Sequence, residues 1–219
     1  MTITYKIDHI PKGTACKRRP ALPMQATTLT IHNTGNASST AANERAWLTN
    51  ASNDRQASYN IVVDQIGSIE CIPLNENTWH SGDGSKAGSG NRTSISIEIC
   101  ESGDYSKALD NAVELVADML KQRGWGVDRL RRHYDWSGKI CPRLMYDGGK
   151  WTGWVAFKNR VAEKLQESEL EMKVEDANAI ITFIKAEWAA AHAKGDTARK
   201  TEANRLANVL RKASGQKEQ

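Results

Sequence analysis

A chain of 219 residues that is 39% hydrophobic and 26% charged, with a mean hydropathy of −0.59, has the make-up of a soluble globular protein and excludes the disordered and fibrous classes. Its net charge of +4 is small against 30 basic and 26 acidic residues spread along the chain, so no nucleic-acid partner is indicated. No apolar run approaches the ~20 residues that span a bilayer, so no stable membrane insertion is expected, and Met1 to His9 lacks the zones of a secretory signal.

At roughly 150 residues per domain, the length suggests one full domain and a small appendage. Thr27 to Asn33 alternates Leu29 and Ile31 with Thr28, Thr30 and His32, the period of a half-buried strand with His32 on its polar side. Ser39 to Asn50 is Ala-rich behind a Ser/Thr turn and reads as a short helix. Tyr59 to Asp64 and Ser68 to Ile72 are β-rich runs joined by Gln65-Ile66-Gly67, a hairpin. Residues 81–91 form a polar, Gly-rich loop without the Gly-Lys-Ser/Thr ending of a phosphate cradle. Thr93 to Ile99 predicts another strand, with Ile95, Ile97 and Ile99 on the buried face and Glu98 opposite.

Lys107 to Arg123 carries apolar residues at helical spacing and stops at Gly124. Trp151 to Leu165 reads as a further helix, and the polar run Gln166 to Lys173 marks a domain boundary. Beyond it, Ala177, Ile181, Ile184 and Trp188, then Ala203, Leu206 and Leu210, recur at helical spacing on either side of Lys194-Gly195-Asp196, which predicts a helical hairpin. The fold class is therefore α/β: a central mixed β-sheet flanked by helices over residues 1–167, with a small helical hairpin over 173–219. The hairpin's apolar stripes are too narrow for a stable core of their own. It is expected to pack on a partner, on the main domain or on a copy of itself as a homo-oligomer.

Four cysteines at positions 16, 71, 100 and 141 show no CxxC pairing. Cys71 and Cys100, in apolar runs, read as buried small hydrophobes. Arg131 to Pro142 is different, because it places His133, Lys139 and Cys141 close together on what reads as one loop. With His32 these make a candidate zinc site, since imidazole and thiolate both suit that ion and a catalytic site usually has three protein ligands. Spacing alone leaves this open against ordinary side chains. By itself Lys139 reads as a solvated lysine, and Trp136 serves equally as a cleft wall or a loop anchor.

Four runs in order carry a resemblance: Leu29-Thr30-Ile31-His32-Asn33-Thr34, Thr78-Trp79-His80-Ser81-Gly82, Gly90 through Ile99, and His133 through Pro142. They resemble the successive motifs of zinc-dependent N-acetylmuramoyl-L-alanine amidases, a family that includes phage endolysins and shares its fold with peptidoglycan-recognition proteins. The resemblance spans roughly residues 20–165. It implies one Zn2+ ion held by His32, His133 and Cys141, with Lys139 and Glu98 at catalytic positions and Tyr59 near the metal. It also implies a substrate-contacting His80, and Asn60 and Trp136 are expected beside the substrate. Asn60 stands where many members carry histidine, and Ser96 replaces a frequent glycine.

The implied reaction is hydrolysis of the amide between the muramic acid lactyl group and L-alanine in peptidoglycan. A bound zinc acidifies its water to a pKa of about 7. Glu98, or alternatively Tyr59, would handle the water's proton, and Lys139 would steady the oxyanion. The resemblance implies a phage or prophage endolysin, made in the cytoplasm and released to the cell wall through a holin pore. Rival readings are a non-catalytic muropeptide-binding module and a host autolysin. The C-terminal hairpin is expected to be a wall-targeting element in preference to a dimerisation arm.

Overall fold

Two parallel strands near the centre of a six-stranded mixed sheet, β2 (Thr28–Asn33) and β5 (Ser94–Ile99), organise the molecule in the computed structural model. The structure describes residues 3–170 and 172–219, with side chains described for all of these except 167–170. Met1 and Thr2, from the N-terminal run, and Glu171, within the expected boundary run, lie outside the described residues. The chain divides into two compact units, Met1–Leu165 and Gln166–Gln219.

In the first unit, β1 (Thr4–Ile7), β3 (Ile61–Val63), β4 (Gly67–Glu70) and β6 (Leu130–Arg132) complete the sheet in the order β1-β4-β3-β5-β2-β6. Among these described strands, only the β3–β4 pair is antiparallel. It is the expected hairpin, shortened at both ends. The Asp64 side chain closes its turn by accepting the backbone N–H groups of Ile66 and Gly67 at 2.8 and 3.2 Å. Gly67 is required where β1 joins, because a Cβ there would lie 2.5 Å from the Thr4 carbonyl oxygen.

Five helices belong to this part of the chain: α1 (Ala41–Trp47), α2 (Gly90–Thr93), α3 (Tyr105–Lys121), α4 (Tyr134–Ser137) and α5 (Thr152–Leu170). Thr40 caps α1 reciprocally with Asn43, and Asp104 caps α3 by accepting the Lys107 N–H at 3.2 Å. One core layer packs Leu29, Ile31, Ile95, Ile97 and Ile99 against Val116 and Leu120 of α3 and Trp154, Phe157 and Val161 of α5. A second cluster joins Ala41, Leu48, Tyr59, Val62, Cys71, Ile72 and Cys100.

This double covering corrects the reading of Thr27 to Asn33 as half-buried. All six residues of β2 are buried, because a parallel sheet is covered on both faces. Its polar side, with Thr28, Thr30 and His32, is covered by polar neighbours instead of water. Arg131 to Pro142 is likewise more than one loop: β6 ends at Arg132, His133 begins the single turn of α4, and left-handed Gly138 ends it. Similarly, α2 takes the end of the expected loop and Thr93, the expected first strand residue, and α5 runs to Leu170 beyond the expected Leu165.

In the second unit, α6 (Val174–Ala193) and α7 (Thr197–Ala213) pack on each other across the Lys194–Asp196 turn. Of the six buried residues described in these two helices, four are alanines, Ala177, Ala191, Ala203 and Ala207, and the others are Ile181 and Arg211. Asp196 caps α7 by accepting the Arg199 N–H at 3.0 Å. Among the described residues, no helix is long and apolar enough to cross a membrane.

Candidate metal centre

The register of β2 and β5 pairs His32 with Glu98, so an imidazole and a carboxylate emerge together near the C-terminal ends of parallel strands. Strand β6, paired with β2 on its other side, delivers His133, and the chain returns from α4 to bring Cys141 back to the same point. The segment after Cys141 is pinned to the strand tips. The Leu144 N–H donates to Asn33 Oδ1 at 3.1 Å, while Arg143 pairs with the buried Glu101 carboxylate.

The result is a cluster in which His32 Nδ1 lies 3.2 Å from His133 Nδ1 and 3.6 Å from Cys141 Sγ, all three residues being buried. Bonds of about 2.0–2.1 Å to nitrogen and 2.3 Å to sulfur in a tetrahedral zinc site separate two nitrogens by about 3.4 Å, and nitrogen from sulfur by about 3.6 Å. The donor set and its spacing therefore fit that ion. Burial, followed by the nearby His80, His133 and Lys139 charges, holds His32 well below the ordinary imidazole value. Burial and Lys139 bring His133 to about 4. Both rings are thus neutral at neutral pH, the form that ligates. Burial pushes the Cys141 thiol up to about 12, with Glu98 adding to the shift, so cation binding would displace its proton.

Glu98 Oε1 sits 3.9 Å from His32 Nδ1, and its Oε2 is buried with no hydrogen-bond partner. Burial, reinforced by Glu44, raises this carboxyl to about 8, against the opposing pull of Lys139. Such an orphaned oxygen beside three neutral ligands fits a cation and its water. Lys139, exposed after α4, lines the same cavity, which has a volume of about 1120 Å3 and extends from the cluster to Trp47, Arg55 and Trp79.

Three expected residues have other work. Tyr59 lines the cavity, but its hydroxyl donates to Glu44, 2.8 Å from the carbonyl and 3.1 Å from the carboxylate, and burial raises its pKa, so its proton is committed. Asn60 is fully buried and is not among the residues that line the cavity. Its side-chain nitrogen donates to the carbonyls of Pro73 and Glu76, at 3.1 and 3.2 Å, and its Oδ1 accepts the Ser96 N–H at 3.1 Å. Trp136 is the loop anchor instead of a cavity wall: its indole N–H donates to Thr30 Oγ1 at 2.9 Å, and its ring lies against Gly90. His80 lines the cavity with both ring nitrogens engaged, by His32 at 3.0 Å and by the Gly90 carbonyl at 3.1 Å.

Sequence reasoning missed Asn33, Glu44, Trp47 and Arg55 on the cavity wall and Glu101, which pairs with Arg143 behind it. Asn33, next to His32 at a strand end, carried the one available signal. The others gain their roles only through partners distant in sequence.

The family described as N-acetylmuramoyl-L-alanine amidase matches residues 22–144. The chain is 47% identical over 133 residues to the N-acetylmuramoyl-L-alanine amidase CwlA of Bacillus subtilis (strain 168), covering 59% of this chain and 47% of that protein. The solved catalytic domain of XlyA superposes with a TM-score of 0.65 at 36% identity, covering 73% of this chain and 99% of that one, and a mutant endolysin from Bacillus subtilis does so with the same values. The chain spans about half the length of the curated relatives it matches most strongly. A match over more than half of these residues, on a sheet that gathers two histidines and a cysteine at its strand ends, places the chain in the N-acetylmuramoyl-L-alanine amidase family.

Proposed function

We propose that this chain is a zinc-dependent peptidoglycan hydrolase that cleaves the amide between the lactyl group of N-acetylmuramic acid and L-alanine of the stem peptide, serving as a phage or prophage endolysin. The observation that carries the reading is the His32–His133–Cys141 cluster with the unpartnered Glu98 oxygen beside it. Zinc held there would supply water acidified to near neutrality and polarise the scissile carbonyl.

The chain's own residues do the rest. Glu98, close to His32, has a carboxyl that burial raises to about 8; a cation held beside it would favour its ionised form, which would take a proton from the attacking water and deliver it to the departing alanine nitrogen. Lys139 presents its ammonium from the cavity wall to the oxyanion that develops on the carbonyl, a contribution worth about 2.7–4 kcal/mol where one such donor has been removed in other enzymes. Tyr59 holds Glu44 in place on the opposite wall. One water and one amide enter; a lactyl carboxylate and a free α-amine leave. Trp47 and Trp79 give the cavity apolar surface suited to the sugar and peptide backbone.

For Gln166–Gln219 the reading is a wall-targeting element, supported by Phe183, 77% exposed, and by Val209 and Ile180 on the hairpin surface. Removing residues 170–219 should weaken binding to purified cell walls and leave the oligomeric mass per chain unchanged. A fall from dimer to monomer would favour a dimerisation arm.

The test of activity is digestion of purified peptidoglycan with the full chain, followed by end-group analysis. New amino-terminal alanine without new reducing sugar, abolished by a chelator and restored by zinc, is the expected outcome. Turnover indifferent to chelation, or the appearance of reducing termini, contradicts it.

A further inference from the structure

The hydrogen bonds around His80 have only one consistent direction. Its Nε2 lies 3.1 Å from the Gly90 carbonyl oxygen. A carbonyl only accepts, so the His80 proton is on Nε2 and its Nδ1 is a bare acceptor. That Nδ1 lies 3.0 Å from His32 Nε2, which must therefore donate. With its proton on Nε2, a neutral His32 has a bare Nδ1, and this is the atom that faces His133 Nδ1 and Cys141 Sγ. The two rings meet edge to face, at an interplanar angle of 85°.

We infer that His80 is a positioning residue of the metal centre: a Gly90–His80–His32 relay fixes the tautomer and orientation of His32, and the polar loop at residues 81–91 exists to hold that relay. The loop is tied to this task at several points. Asn91 Oδ1 accepts the backbone N–H groups of His80 and Ser81, at 2.7 and 2.9 Å, and Asn91 Nδ2 donates to the Gly84 carbonyl at 2.8 Å. Asp83 Oδ2 accepts the Gly90 N–H at 2.7 Å and so anchors, one peptide unit away, the residue whose carbonyl ends the relay. Gly90 has no side chain because the Trp136 ring occupies that space, 2.7 Å from where a Cβ would stand. A run that lacks the ending of a phosphate cradle thus uses its Asp83 and Asn91 side chains to hold its own backbone and that of one histidine.

The relay rests on the metal-site reading above, and its test separates the two. The ring-nitrogen NMR shifts of the metal-free, unsubstituted chain should show His32 protonated at Nε2. Protonation at Nδ1 overturns the relay, whatever the variants do. Zinc affinity is then measured by chelator competition. His80→Phe, which keeps a ring and removes both hydrogen bonds, should bind zinc about 10–100-fold more weakly, the usual effect of losing a partner behind a metal ligand. His80→Gln, whose amide both accepts and donates, should fall nearer to the unsubstituted protein; the reverse order contradicts the relay. If the unsubstituted chain takes up no zinc, the site reading itself fails and the proposal with it. If it takes up zinc and folded His80→Phe binds it equally well, only the relay fails.

Discussion

The strand ends of the first unit and the helical hairpin of the second are built on opposite economies of contact. At the strand ends most functional side chains have partners: His80, Asn33, Glu101 and Asn91 each support a neighbour, while Glu98 Oε2, like Thr34 Oγ1, is buried without one. In the hairpin, four of the six buried residues described are alanines, and large apolar side chains such as Phe183 are exposed. The first arrangement fixes a few side chains through several partners each. The second leaves apolar surface available and fixes little, which suits the wall-targeting role proposed for it.

Substitutions break this contrast in graded steps. Cys141→Ser should have the largest effect: it removes a metal donor, and the loss of several kcal/mol of transition-state stabilisation lowers turnover on the order of 10³-fold or more. Peptidoglycan digestion alongside metal analysis should find both activity and zinc lost. Glu98→Gln sharpens the picture, because it keeps the shape and the zinc and removes the base. Turnover should fall by about 10²–10⁴-fold, and full turnover in this variant would move the proton-handling role elsewhere.

Stability should divide the two regions in the same way. Ile97 is fully buried in β5, and Ile97→Ala should cost about 2–5 kcal/mol in denaturant unfolding. Phe183→Ser, at an exposed hairpin position, should change stability by no more than about 0.5 kcal/mol while reducing retention on cell walls. Equal destabilisation by the two substitutions would mean that the hairpin surface is structural.

Much of the central sheet was legible because its strands alternate clearly. Leu29 and Ile31, like Ile95 and Ile97, mark one face, which leaves His32 and Glu98 on the other, and parallel register then sets them side by side. What the alternation could not reveal was that this second face is buried too, since its cover comes from His80, His133 and Trp136, residues 48 to 106 positions away in their hydrogen-bonded pairs. Strands β1 and β6 escaped for a different reason. Thr4–Ile7 is an exposed edge and Leu130–Arg132 is three residues long with two arginines, so neither shows a period.

The candidate site was legible as a set of ligands and illegible as a set of supports. His32, His133 and Cys141 are residue types with few other reasons to converge, and the structure brings them together. Tyr59 and Asn60 looked equally suited to a cleft, but Glu44 claims the hydroxyl of the first, and the loop at Ile72–Glu76 and Ser96 claim the amide of the second. Those partners follow from the fold and leave no local pattern. The same holds for His80, whose neighbours in sequence suggest contact with substrate while its neighbours in space are His32 and Gly90.

The central claim is that three side chains distant in sequence hold one divalent cation, and elemental analysis of the natively purified full chain tests it most directly. One zinc per chain, reduced to background in Cys141→Ser with the fold intact, is the result this account predicts. A chain that stays free of zinc after equilibration with the ion, or a Cys141→Ser variant that retains a full equivalent, would contradict it.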